Sequence, residues 1–391
     1  MKKIYLKKSV ERNIKSGQPW IFSGAILSEE DIENGDLCSI FCDKNFLGIG
    51  YYNKNSDIRV RMLSRLDVKI DINFFINRLT VLKTEKERYI PNCNSYRLVY
   101  GESDNIPGLI VDIYNLKYIV IQVHTLGIEK LKKLIVDALV KIYNPEMIYE
   151  KCDIAIREKE NLPKESREVL YGKLYKEVEI IENGYKFSVN IVEGQKTGFF
   201  LDQRVNRNSI VKYCEDKTVL NCFSYTGGFS VYAASVAKSV TSVDISKKAI
   251  ENAALNFKIN GFDTKKHGFI AKDVFDYLKE MQHGQFDLII LDPPSFAKNQ
   301  KHLKNAIKAY ITINSKALEK LPDYGILVSS SCTSHVDQTT FIKILNQSAV
   351  NAACQLKVLE SNEQPLDHPY NLAFPEGRYL KFFILQKYPI L

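Results

Sequence analysis

The sequence predicts an α/β fold: a doubly wound parallel sheet in the carboxyl-terminal half, preceded by a small β-barrel and a central α+β region. Three observations carry this prediction. After about residue 200, apolar runs of strand length alternate strictly with amphipathic runs of helix length, the pattern of a sheet covered by crossover helices. Leu288 to Leu291 is wholly apolar, as a strand buried on both faces must be, and it stops at Asp292-Pro293-Pro294, where the ring nitrogens have no N–H to give a ladder. Residues 1 to about 70 instead break into short strand-like pieces separated by polar turns.

Composition limits the function classes. The chain has 391 residues, 45% hydrophobic and 26% charged, ordinary values for a globular protein with room for two or three domains. No apolar run approaches the roughly 20 residues that span a bilayer, and the amino-terminal stretch lacks the apolar core of a secretory signal. The expectation is a cytoplasmic protein with no membrane partner. Its eight cysteines are scattered without a Cys-x-x-Cys pair. Cys38 and Cys42 have no second pair or nearby histidine to complete a zinc site, so no metal is expected. Net charge is +8, with Lys2, Lys3, Lys7, Lys8, Arg12 and Lys15 facing only Glu11 at the start, which suits an anionic partner or a solvated basic terminus.

Taken in order, Asp36–Cys42, Phe46–Tyr52 and Asp57–Leu63 read as strands. In the last, Ile58, Val60 and Met62 alternate with Arg59 and Arg61, predicting one apolar and one basic face. From Asp71 to Tyr89 the spacing turns helical, followed by strands over 96–100, 108–114 and 117–123 and a helix over 126–143 that ends at Asn144-Pro145. Met147–Lys151 is a further strand. Segments 176–182 and 185–192 flank Asn183-Gly184, a strong hairpin signal. Beyond that, strands are expected near 218–222, 239–243, 267–271, 286–291, 324–330, 355–360 and 379–387. The helices between them fall near 202–213, 228–237, 246–260, 273–281, 300–320 and 336–350. The expected domains are 1–70, 71–192 and 193–391.

The candidate chemistry collects at strand tips. The first strand of the large sheet runs into Phe223-Ser-Tyr-Thr-Gly-Gly-Phe229, whose glycines let backbone approach a ligand at a helix start. The next three strand regions that carry acids end in Asp244, Asp273 and Asp292, and ligands bind outside the carboxyl ends of such sheets. An acid about 20 residues after the loop suits ribose hydroxyls. Neither Gly-x-Gly-x-x-Gly nor the P-loop pattern is present, which disfavours dinucleotides and ATP hydrolysis and favours a nucleoside cofactor without phosphates, S-adenosylmethionine. A further strand ends in Ser329-Ser-Ser-Cys332, bringing a thiol to the same edge. Such a thiol has a use there: C5 of a pyrimidine becomes nucleophilic only once a thiolate has added at C6. His335, three residues on, could influence the thiol or cap the next helix, and the cap is the favoured reading.

These segments resemble a known family. Gly194-Gln-Lys-Thr-Gly-Phe-Phe-Leu-Asp-Gln-Arg204, Asn221-Cys-Phe-Ser-Tyr-Thr-Gly-Gly-Phe229, Asp292-Pro-Pro-Ser-Phe296 and Ser331-Cys332 are similar to the RlmI-type class I rRNA large-subunit cytosine-C5 methyltransferases. Gln18-Pro-Trp-Ile-Phe-Ser-Gly24 and Gly48-Ile-Gly-Tyr-Tyr52 resemble that family's PUA domain. Tyr100–Ile110 and His368–Tyr379 match its central and terminal segments.

The resemblance implies a Rossmann-like methyltransferase domain after a PUA-like RNA-binding β-barrel, with large-subunit rRNA as partner; a homodimer is compatible with it. It implies a cofactor pocket lined by Phe223, Ser224, Tyr225, Thr226, Gly227, Asp244, Ile245, Asp273, Val274 and Asp292. Cys332 is the implied nucleophile, with Asp292 beside it. Gln195, Lys196 and Thr197 are implied at the mouth of the site, and a flipped cytosine at Pro293, Pro294 and Phe296. Thr333 and the Lys298-Asn-Gln stretch depart from the family pattern. Two rivals are an amino-group methyltransferase acting on a purine of RNA without a covalent intermediate, and an RNA-binding protein with an inactive methyltransferase fold.

Overall fold

The computed structural model describes residues 1–296 and 300–390, so Lys298 and Asn299 lie outside it. The chain forms two compact units. One gathers Met1–Glu182, Val189–Leu201 and Leu366–Gly377; the other gathers Asn183–Ser188, Asp202–Pro365 and the chain from Arg378 onward.

The second unit is built on a seven-stranded sheet: β1 Thr218–Cys222, β2 Ser239–Asp244, β3 Gly268–Ala271, β4 Leu288–Leu291, β5 Ile326–Ser331, β6 Cys354–Asn362 and β7 Lys381–Pro389. Between them run α1 Gly228–Ala234, α2 Lys247–Ile259, α3 Val274–Glu280, α4 Leu303–Lys320 and α5 Gln338–Asn351. The spatial order is β3-β2-β1-β4-β5-β7-β6. The chain therefore winds outward from β1 to β3 and resumes on the other side at β4. This reversal opens a crevice at the carboxyl ends of β1 and β4, the position where such sheets bind ligands.

The sheet is not parallel throughout, contrary to what the alternation of strands and helices predicts. Strands β1 to β5 are parallel, but β7 runs antiparallel to both of its neighbours, β5 and β6. A parallel neighbour needs a crossover, usually a helix. Between Asn362 and Lys381 the only helical piece is the turn Pro375–Gly377, so the strand returns antiparallel.

Leu288, Ile289, Ile290 and Leu291 are all fully buried, as the unbroken apolar run requires. Each contributes about 1.5–3 kcal/mol by leaving water. Ile289 and Leu291 share a core with Tyr310, Ile313 and Ala317 of α4 and Phe341, Ile344 and Leu345 of α5. Helix α5 is capped by Asp337, whose side chain accepts the Thr340 N–H at 2.7 Å. The expectation that His335 does this is wrong, because a carboxylate at the residue next to the helix outcompetes an imidazole two positions earlier. The helix expected over 202–213 is broken at Ile210 into Arg204–Ser209 and Val211–Cys214.

In the first unit, six strands between Lys2 and Ser64 form one sheet, antiparallel except where Lys2–Leu6 lies along Leu37–Cys42. Ile4, Cys38, Ile40, Cys42, Val60 and Met62 fill its core. The basic face expected on Asp57–Leu63 does not form: Arg61 is buried and paired with Glu160 at 3.1 Å. A buried guanidinium needs a partner, and Glu160 supplies it.

A second sheet joins Tyr96–Tyr100, Leu109–Tyr114, Tyr118–Val123, Met147–Asp153 and Glu165–Gly172. Helices Ile72–Tyr89 and Leu126–Tyr143 pack on it through Phe75, Leu79, Ile135 and Leu139. Glu177–Glu182 and Tyr185–Asn190 form the expected hairpin. Asn183 (φ 50°) and Gly184 (φ 87°) both take the left-handed backbone that a two-residue hairpin turn needs.

Candidate active site

The loop after β1 is strongly contorted. Phe223 (φ 56°), Tyr225 (φ 46°) and Gly227 (φ 78°) are all left-handed, and the first two bear side chains that disfavour it. Neighbouring groups hold the loop in this shape. The Ser224 N–H donates to the Val243 carbonyl at 3.0 Å and the Tyr225 N–H to Asp244 Oδ2 at 2.9 Å. The Gly227 N–H donates to the Ser224 carbonyl at 2.8 Å, and Asn256 Nδ2 to the Thr226 carbonyl, also at 2.8 Å. Strain fixed by so many contacts clusters at functional sites.

Two buried polar atoms here have no partner among the described residues: Asn221 Oδ1, at the end of β1, and Ser224 Oγ. Asn221 is oriented by its own amide, which donates to Ser230 Oγ at 2.8 Å, and Ser242 bonds the same hydroxyl at 2.7 Å. An orphaned buried group costs about 1–3 kcal/mol, so both atoms suit a polar ligand.

At the tip of β2, Asp244 also accepts the Ser246 N–H at 2.9 Å, and each oxygen keeps a second lone pair. Ile245, next to it, is 74% exposed, an apolar side chain presented beside an acid. Asp273 has a local duty: it caps α3 through the Phe275 and Asp276 N–H groups at 2.8 and 3.2 Å. Val274 is buried behind it.

On the other side of the crevice, β4 and β5 run in register, Leu291 opposite Ser329. Asp292 therefore meets Ser330, whose hydroxyl donates to Asp292 Oδ1. Gln203 Nε2 donates to the same oxygen at 2.9 Å, and its own Oε1 accepts from Asn206 Nδ2 at 2.6 Å. Gln203 and Ser330 lie inside the motifs read from the sequence, but only their contacts with Asp292 single them out.

Cys332 follows two residues beyond Ser330 and is partly exposed, unlike Cys38, Cys42, Cys152, Cys214, Cys222 and Cys354, which are buried. Tyr310 of α4 reaches this corner, its hydroxyl accepting from Ser331 Oγ at 3.1 Å. Burial pushes the Tyr310 phenol above its usual range, and negative charge on Cys332 and Asp292 pushes it further. Pro293 is buried and Pro294 exposed. Phe296 packs edge-on against Phe223 at 6.4 Å and Tyr310 at 4.8 Å.

Gln195, Lys196 and Thr197 belong to the first unit. Gln195 and Lys196 are exposed, and the Lys196 ammonium sits 4.4 Å from the Phe200 ring centre. Thr197 is fully buried, donating to Asp112 Oδ2 at 2.6 Å and lying 2.8 Å from the Tyr114 hydroxyl. Among the described residues, no group of three or more His, Cys, Asp or Glu side chains is placed to hold a metal ion.

Comparison with known proteins agrees with this geometry. Residues 147–375 match the model of an S-adenosylmethionine-dependent methyltransferase family, and residues 4–65 that of a PUA-like domain. A ribosomal RNA large subunit methyltransferase I from Vibrio parahaemolyticus is 42% identical over 97% of this chain and 98% of its own. The protein of the same name from Aeromonas salmonicida is 39% identical, covering 98% of each chain. A crystal structure of a methyltransferase complexed with SAH superposes with a TM-score of 0.84 at 27% identity, covering 99% of this chain and 100% of that one.

Proposed function

The chain belongs to the S-adenosylmethionine-dependent methyltransferases, in the family of the ribosomal RNA large subunit methyltransferases I, and we propose that it forms 5-methylcytosine in large-subunit rRNA through Cys332. S-adenosylmethionine is its cofactor, and when bound it supplies a methyl group on a positively charged sulfur. The residues present fit it. Asn221 Oδ1 and Ser224 Oγ are buried acceptors in want of a donor, Asp244 keeps lone pairs for hydroxyl groups, and Ile245 offers an apolar surface for a ring.

The observation that carries the carbon-methylation reading is the placement of Cys332. It is a partly exposed thiol at the tip of β5, two residues beyond the serine that holds Asp292. Addition of Cys332 Sγ to C6 of a cytosine gives C5 the electron density it lacks. Once C5 has taken the methyl group, its proton leaves to a base, the C6–S bond breaks and the thiolate is restored. Gln203 and Ser330 both donate to Asp292 Oδ1, which supports a role for this carboxylate as the acceptor for the exocyclic amine of the base. An amine-methylating enzyme has no need of that thiol.

RNA as partner is supported by the PUA-like match and by the exposed Lys2, Lys3, Lys7, Lys8, Arg12 and Lys15. No helix among the described residues is long and apolar enough to cross a membrane.

The test is nucleoside analysis of RNA methylated by the wild type and by Cys332→Ala. The wild type should yield 5-methylcytosine and the variant none, while both bind S-adenosylmethionine alike. A variant that still methylates RNA would overturn the reading in favour of methyl transfer to an amino group.

A further inference from the structure

A buried cation stands beside the cysteine. Lys381 opens β7 and pairs across the sheet with Ser331, the residue before Cys332. Only 6% of it is exposed, and lysine is almost never buried so far without a charged partner. Its Nζ donates to the carbonyl of Thr333, the residue after Cys332, and to that of Tyr379 at 2.7 Å. The ammonium is thus tied to the backbone around Cys332, yet both acceptors are neutral and leave its charge without compensation. Burial pushes Lys381 down to about 8, Cys332 and Asp337 draw it back up, and Arg378 adds to the fall.

The charged and titratable groups around this corner come from four elements. Asp337 is exposed and serves the Thr340 N–H as the cap of α5. Arg378, just before β7, pairs with Glu363 and donates to Gln338. Tyr310 of α4 is engaged with Ser331, and Asp292, at the tip of β4, with Gln203 and Ser330. The exposed Asp337 is screened by water, so the anion best placed to balance the ammonium is Cys332 itself.

We propose that Lys381 is a positioning residue that holds Cys332 as the thiolate before any substrate arrives. The proposal deepens the functional reading and rests on it, since only a nucleophilic Cys332 needs to be ionised. The proton lost by the thiol goes to solvent, and no other bond changes. The thiolate is the attacking form, and an ordinary thiol with a pKa of about 8.5 is only a few per cent ionised at neutral pH. A fixed ammonium removes that handicap.

The experiment is the rate of iodoacetamide alkylation of Cys332 against pH, read by mass spectrometry of the Cys332 peptide in the full-length chain. The wild type should show a midpoint below the ordinary thiol value. Lys381→Met should raise it by about one pH unit, roughly tenfold less thiolate at neutral pH, and Lys381→Arg should keep it low. A wild-type midpoint at or above the ordinary value overturns the proposal, and so does an unmoved midpoint in a folded Lys381→Met protein. If that variant fails to fold, the wild-type and Lys381→Arg midpoints decide. The readout is independent of catalysis. A low midpoint without methylation at C5 retires the cytosine chemistry and leaves the pair standing; methylation at C5 with an unshifted midpoint retires the pair alone.

Discussion

Gly227 shows how tightly the loop after β1 is made. Its φ of 78° is left-handed, and a Cβ there would meet the Ala253 Cβ at 3.0 Å. Gly227→Ala should cost about 1–2 kcal/mol in left-handed strain, and because the strain falls on the loop itself, weaken S-adenosylmethionine binding in calorimetry. Unchanged affinity would mean that the loop does not shape the pocket. Ser330→Ala removes a donor from Asp292. With about 1.5–3 kcal/mol for a hydrogen bond to a charged group, kcat should fall roughly ten- to a hundredfold with cofactor affinity intact. Loss of cofactor binding instead would place Asp292 on the cofactor. In the first unit, Lys151 donates to the Ile191 carbonyl at 2.7 Å, and burial lowers it from 10.5 to about 8. The folded chain gives up this proton before the unfolded chain does. The unfolded state therefore binds more protons between these values, and the Lys151 contribution to stability rises with pH across that window. Urea unfolding of Lys151→Met against the wild type should show a difference that shifts towards the wild type from about pH 8 to about 10.5. A difference constant with pH would contradict the burial argument.

Elements differ in how openly the sequence announces them. Leu288–Leu291 was legible because a strand covered on both faces has no polar position, and the prolines after Asp292 fix its end. Ile289→Ala should cost about 2–5 kcal/mol in urea unfolding, and under 1 kcal/mol would show that its surroundings collapse freely. The antiparallel course of β7 was not legible, since direction depends on the connection and not on the strand's own residues. Alternation in Ile58–Ser64 misled, because it cannot show that Glu160, about a hundred residues away in sequence, would bury Arg61. Glu165–Gly172 was missed because it is an exposed edge strand with little apolar signal. Of the candidate site, the positions of the strand-tip acids and Cys332 after apolar runs were legible. Gln203, Ser330 and Lys381 were not, because their importance lies in contacts between elements distant in sequence.

The whole molecule combines a methyltransferase sheet with a PUA-like domain and carries an excess of positive charge, +8 over the chain. Lys8 and Lys15 are both tied to Glu11, at 2.6 and 2.7 Å; Lys3 and Arg12 are also exposed. If they contact phosphates, Lys3→Gln with Arg12→Gln should weaken RNA binding and lower the slope of log affinity against log salt by about 0.7–0.9 per contact, measured by fluorescence anisotropy. An unchanged slope would put the RNA surface elsewhere. Attack of Cys332 on cytosine is tested most directly by trapping. RNA carrying 5-fluorocytosine cannot release a proton from C5, so the adduct cannot resolve. Incubated with S-adenosylmethionine, the wild-type protein should form a denaturant-stable RNA conjugate that maps to Cys332, and Cys332→Ala should form none. Active protein that methylates ordinary RNA yet leaves no conjugate at Cys332 would contradict it.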